Sequence, residues 1–167
     1  MKKHYFNFTI PLIFFFAILC TNANATDNEG RLGIGSSNQL INSLPALSFK
    51  LQKTRSLAFG ALLGVDTDSD NGGWGAGVKL YRLLFEEPNL NFFAAILGAL
   101  HNQNQGKSLD SKSGFQFDLT LGSEFHFSGL SSLGFSVEFG ISFNKIDDFV
   151  IQTVGEHLVS AAVHFYL

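Results

Sequence analysis

Residues 115–143, FQFDLTLGSEFHFSGLSSLGFSVEFGISF, read as two long alternating runs folded back on each other. In the first run Phe115, Phe117, Leu119, Leu121, Phe125 and Phe127 share one face, and Gln116, Asp118, Thr120, Gly122, Glu124 and His126 share the other. A period of two is the signature of a strand, because successive side chains of an extended backbone point to opposite sides. The second run sets Leu133, Phe135, Val137, Phe139, Ile141 and Phe143 against Gly134, Ser136, Glu138, Gly140 and Ser142, across the turn formers at 128–131. Each predicted strand is about 11 to 13 residues long, roughly twice a typical globular strand. One face carries large apolar groups and the other small, hydroxylic or charged ones. That pattern fits a strand with lipid on one side and a packed polar lumen on the other.

The amino-terminal stretch MKKHYFNFTIPLIFFFAILCTNANA has two lysines, an apolar run from about Phe8 to Leu19, and Ala23-Asn24-Ala25. It predicts a secretory signal peptide over 1–25, cleaved after Ala25, and a barrel domain over 26–167. The apolar run falls short of the ~20 residues a membrane-spanning helix needs. Cys20 is preceded by Leu19, with Ala17 three positions back, where a lipidation site calls for a small residue and a leucine. Cleavage would remove the only cysteine and with it any disulfide or thiol chemistry. It would also remove Lys2 and Lys3, leaving the chain more acidic than its formal charge of −3. An acidic balance offers no basic patch for nucleic acid. No later apolar run is long enough for a transmembrane helix, so membrane insertion would require a closed barrel.

Working outward from the central hairpin, alternation predicts strands at 29–36, 44–52, 56–65 and 74–84, and a last one at 157–167. The segment 90–100, LNFFAAILGAL, is apolar on both faces, and a buried helix competes there with a fifth strand, which is preferred. The expected fold is all-β, an eight-stranded antiparallel up-and-down transmembrane β-barrel. Longer polar loops (36–43, 66–73, 102–113, 145–154) alternate with tight turns (53–55, 85–89, 128–131), as in an outer-membrane barrel with its turns in the periplasm.

The chain resembles, in architecture, the small eight-stranded outer-membrane barrels of Gram-negative bacteria, the OmpA-barrel and OmpX-like group. The resemblance implies an outer-membrane location, contact with outer-membrane lipid and lipopolysaccharide, handling by the barrel-assembly machinery, and a monomer with a structural or surface-interaction role. Such proteins usually end in an alternating strand with a final aromatic residue. Phe165 and the alternation are present, but the last residue is Leu167.

Three residue sets invite a chemical reading. His126 and Ser128, with Glu138, resemble the Ser-His-Glu set of outer-membrane lipid A deacylases, but hydrolysis needs the three within hydrogen-bond reach. In the expected register His126 lies opposite about Ser132, and Glu138 lies some 20 Å away at strand rise, so no catalytic residues are assigned. Asp66, Asp68 and Asp70 alternate in DTDSDNGG like the first half of a calcium loop. The twelfth position from Asp66 is Gly77 rather than glutamate, so a solvated acidic loop is the expectation and no cofactor is assigned. Gly72-Gly73-Trp74 matches the G-x-W of lipocalins, but a face rich in Gly, Ser and Ala suits a crowded lumen better than an aqueous surface. Trp74 is expected in an aromatic girdle.

Lys50, Lys79, Asp118, Glu124 and Glu138 all fall on the polar face. An eight-stranded barrel has room only for its own side chains, and charges enclosed in it must be paired. The expectation is a salt-bridged plug without enzymatic activity. The alternatives are a lipid A-modifying enzyme and a small pore.

Overall fold

The computed structural model describes residues 28–41, 44–68, 72–104, 111–155 and 158–167. The segment 1–25, read from the sequence as a signal peptide, lies outside the described residues. Nine strands follow one another: β1 (Leu32–Ser37), β2 (Ala46–Thr54), β3 (Leu57–Asp66), β4 (Gly73–Glu87), β5 (Leu90–Gln103), β6 (Lys112–Phe127), β7 (Leu130–Lys145), β8 (Phe149–Thr153) and β9 (Ser160–Tyr166). From β1 to β7 each pairs antiparallel with the next, and β9 closes the ring by pairing with both β7 and β1. The result is an all-β, closed, up-and-down barrel with eight wall positions. The eighth position is divided. β9 lies beside residues 133–138 of β7, and β8 lies beside residues 141–145 on the same edge.

The wall is staggered. Paired residues followed once round, from Gly134 through His164, Gly35, Ser48, Leu62, Gly77, Ala99 and Gln116, return to β7 at Asn144 rather than at Gly134. Such an offset tilts the strands and lets a sheet of this size close.

Burial follows the period of two, with the usual sense reversed. Phe115, Phe117, Leu119, Leu121, Phe125 and Phe127 face outward and are exposed, whereas Gln116, Asp118, Thr120, Glu124 and His126 between them are buried. Small residues on the inner face make this possible. A Cβ on Gly122 would stand 2.6 Å from Glu138 Cγ and 2.8 Å from Phe93 Cζ. One on Gly134 would stand 3.0 Å from Glu124, His126 and Tyr166 alike. The glycines are the spaces into which the large inward side chains fold.

β5 is a strand throughout, as preferred from the sequence, and several other expectations are corrected. Its inward Phe93, Ala95, Leu97 and Ala99 are buried, because the lumen holds an apolar strip built with Ala58, Leu62 and Tyr81. That strip also explains Leu62, which interrupts the polar face of β3. β8 occupies part of the expected loop 145–154. The hairpin between β6 and β7 is tighter than expected, turning at Ser128-Gly129 with Gly129 at φ 82°, a left-handed value that glycine adopts without steric cost. An irregularity next to it sets His126 opposite Gly134, not Ser132. A bulge in β4 leaves Leu84 unpaired, so that Leu84 and Phe85 both face outward. The first strand starts at Leu32 rather than Glu29. The loop after it does not stay outside: Gln39 and Leu40 turn into the barrel and are buried.

Candidate functional site: the charged lumen

Alternation along β2, β4, β6 and β7 turns Lys50, Lys79, Asp118, Glu124 and Glu138 inward, and none is more than 4 % exposed. They fall into three layers. Nearest the turn end, Lys50 Nζ donates to Glu124 Oε2 at 2.8 Å across the lumen from β2 to β6, and Tyr166 OH donates to Glu124 Oε1 at 2.5 Å. The same ammonium lies 4.8 Å from the Tyr81 ring centroid and 5.2 Å from that of Phe93, within cation–π range. His126 is fully buried below them, its Nε2 3.3 Å from Asn28 Nδ2 and 3.7 Å from Glu124 Oε2.

In the middle layer Lys79 Nζ meets both carboxylate oxygens of Glu138 at 2.6 Å, and Thr120 Oγ1 donates to Glu138 Oε2 at 2.7 Å. The Tyr81 ring lies between the two lysines, 4.8 Å from each ammonium. Each cation therefore has a carboxylate and an aromatic face, the compensation that makes a buried charge tolerable.

The upper layer is built on Asp118, which among the described residues has no cation as a hydrogen-bond donor. Gln39 Nε2 donates to its Oδ2 at 3.0 Å and Gln116 Nε2 donates to the same oxygen at 2.8 Å. Gln39 is held in turn. Its Oε1 accepts from Lys79, its backbone carbonyl accepts from Gln116 Nε2 at 3.0 Å, and Gln116 Oε1 accepts from the Ile41 N–H at 3.1 Å. The β1–β2 connection thus supplies the central member of this layer. Sequence reasoning missed it, since a short polar connection has no periodicity to show which residue points inward.

A further pair was also missed. Ser48 Oγ lies 2.8 Å from His164 Nε2, from β2 to β9. Both residues are about 1 % exposed, and among the described residues His164 Nδ1 has no hydrogen-bond partner. A serine nucleophile needs an acid behind its histidine and access for substrate. Among the described residues no acid bonds His164 Nδ1 and both side chains are closed to solvent, so the contact pairs Ser48 Oγ with His164 Nε2 inside the wall.

The remaining candidates separate. His126 is in the lumen, Ser128 Oγ accepts from Asn89 Nδ2 at 3.0 Å at the turn end, and Glu138 is bound to Lys79, so the deacylase-like set is not assembled. The Asp68 N–H donates to Asp66 Oδ1 at 2.9 Å, a local turn bond that occupies one of the two described aspartates; Asp70 lies outside the described residues. Among the described residues no group of three or more His, Cys, Asp or Glu side chains could hold a metal ion.

At the turn end a cavity of about 20 Å³ remains between Lys50, Tyr81, Asn91, Phe93 and Glu124, bordered by Arg55 and Glu86, which pair at 2.7 Å. It has room for a water molecule and no more. Chemically, the described lumen holds two ion pairs, Lys50–Glu124 and Lys79–Glu138, and one carboxylate, Asp118, held by two amides. No family model, curated protein or solved structure matches the chain.

Proposed function

We propose that the protein is an integral outer-membrane β-barrel of the small, OmpX-like kind, a monomer with a structural or surface-interaction role and a lumen closed by its own side chains. The observation that carries this reading is the reversed polarity of the wall. Phenylalanine, leucine, valine and isoleucine crowd its outer face, and the ion pairs are inside. Water-soluble monomers rarely expose contiguous apolar patches of more than a few hundred Å². A hydrocarbon environment demands such a face, together with a wall that satisfies its own backbone hydrogen bonds, as a closed barrel does. Trp74, exposed near the loop end of β4, suits an interfacial girdle. The leader at 1–25 supplies the export route, lipid and lipopolysaccharide the surroundings, and the barrel-assembly machinery the insertion step. Among the described residues no helix is long and apolar enough to cross a membrane.

The test is fractionation with gel mobility. The mature protein should begin at Thr26, sediment with the outer membrane, and migrate differently on a detergent gel before and after boiling. A soluble periplasmic protein of unchanged mobility overturns the reading. The lumen's two ion pairs and its Ser48–His164 pair, all closed to solvent, favour a non-enzymatic, non-conducting role over lipid A modification or transport.

A further inference from the structure

Past Ser37 the exposed Asn38 still bonds to Ser160 and Ala161 of β9, and beyond it Gln39 and Leu40 turn inward and leave the wall. Among the described residues β8 pairs with β7 alone, so the wall at this height is not sealed by strand pairing. A cleft of about 50 Å³ lies there between Asn38, Gln39, Leu40 and Ile41 on one side and Gln152 and Gly155 on the other. It leads to Gln39 and Leu40 from the side of the barrel.

These two residues make contacts of a kind a bound molecule would make. The Gln39 carboxamide gives its N–H to Asp118 and takes one from Lys79, and its carbonyl takes another from Gln116. The Leu40 side chain, 3 % exposed, packs in an apolar niche with Ala46, Leu62, Leu97 and Ala99. Lys79, Asp118 and Gln116 belong to β4 and β6, and the niche to β2, β3 and β5. The receiving surface is therefore carried by wall strands, while its occupant is carried by the connection between β1 and β2.

We propose that the upper lumen is a binding pocket for a small neutral amide with one branched aliphatic group, of dipeptide size, and that Gln39-Leu40 fills it as a tethered occupant. The side cleft is where that occupant meets the surface, and a free molecule enters as the tethered segment moves out. This holds whether or not the barrel sits in a membrane. A tethered occupant acts at an effective concentration of about millimolar or above, so a free competitor is needed at similar concentration.

The experiment uses the purified full-length mature protein with the double substitution Gln39→Gly and Leu40→Gly and the probe N-acetyl-Gln-Leu-amide. The variant should melt at a lower temperature than wild type, and about 10 mM probe should restore part of the loss while leaving wild type unchanged. A folded variant that the probe does not stabilise overturns the proposal, as does an equal upward shift in wild type. Should the double variant fail to fold, Leu40→Cys decides, in a chain that begins at Thr26 and so carries no other cysteine. Maleimide labelling of Cys at position 40 should become several-fold faster with probe, as the probe displaces the tethered segment. A labelling rate indifferent to probe overturns the proposal.

Discussion

Glu138 shows most directly what a single residue contributes to this barrel. Its carboxylate takes two bonds from Lys79 and one from Thr120, and Lys79 is 4 % exposed. Glu138→Ala leaves an ammonium enclosed with no carboxylate, which should destabilise the protein by ~3–5 kcal/mol in urea unfolding. Glu138→Ala combined with Lys79→Met should be much milder, because no unpaired charge is left. Equal losses in the single and double variants would show that the pair is hydrated after all. The five lumen charges were legible in the sequence, since each sits at an inward phase of a clear alternation. Which charge would meet which was not. Lys50 reaches across to Glu124, and Lys79 to Glu138, through distances set by strand stagger that no single strand encodes. Gln39 was illegible for a different reason: its direction is decided by the acceptors and donors already in the lumen.

At the scale of elements, β6 and β7 were readable almost residue by residue, because large apolar side chains alternate with small or polar ones over most of their length. β5 was ambiguous because its inner face is also apolar, a consequence of neighbours on β3 and β4 that a reading of 90–100 alone does not include. β8 was missed because Phe149–Thr153 is short, follows Asp147-Asp148, and has all five residues exposed, so it carries no one-sided pattern. The face assignment in β7 yields a paired test. Val137 is 48 % exposed on the outer face and Ser136 is 4 % exposed on the inner one. In a bilayer Val137→Arg should cost ~2–4 kcal/mol if the residue lies near the midplane, while Ser136→Thr should cost much less. Equal, small effects measured by refolding into lipid vesicles would contradict a lipid-facing Val137.

The whole molecule joins a filled lumen to a closed wall. If the proposed closed lumen holds, the wild-type protein should show no steady single-channel conductance in planar bilayers, because two buried ion pairs and the Gln39 layer follow one another inside the barrel. A stable conducting level would favour the pore. The closed wall has a second consequence, which is arithmetic. The circuit that leaves β7 at Gly134 and returns at Asn144 joins two inward residues, and it must do so, since an odd count would join an inward residue to an outward one. Parity is thus a property of the ring, imposed on all its strands together. The unpaired Lys53 and Leu84 lie toward the turn end of that circuit, where one residue more or less does not alter the count. Deleting Leu84 should leave the heat-dependent gel shift intact. One alanine inserted between Leu119 and Thr120 changes the parity and turns half of β6 inside out, with Asp118 and Glu124 no longer on one face. That variant should lose the shift entirely, and retention of it would mean that the ring can absorb an odd residue by a new bulge.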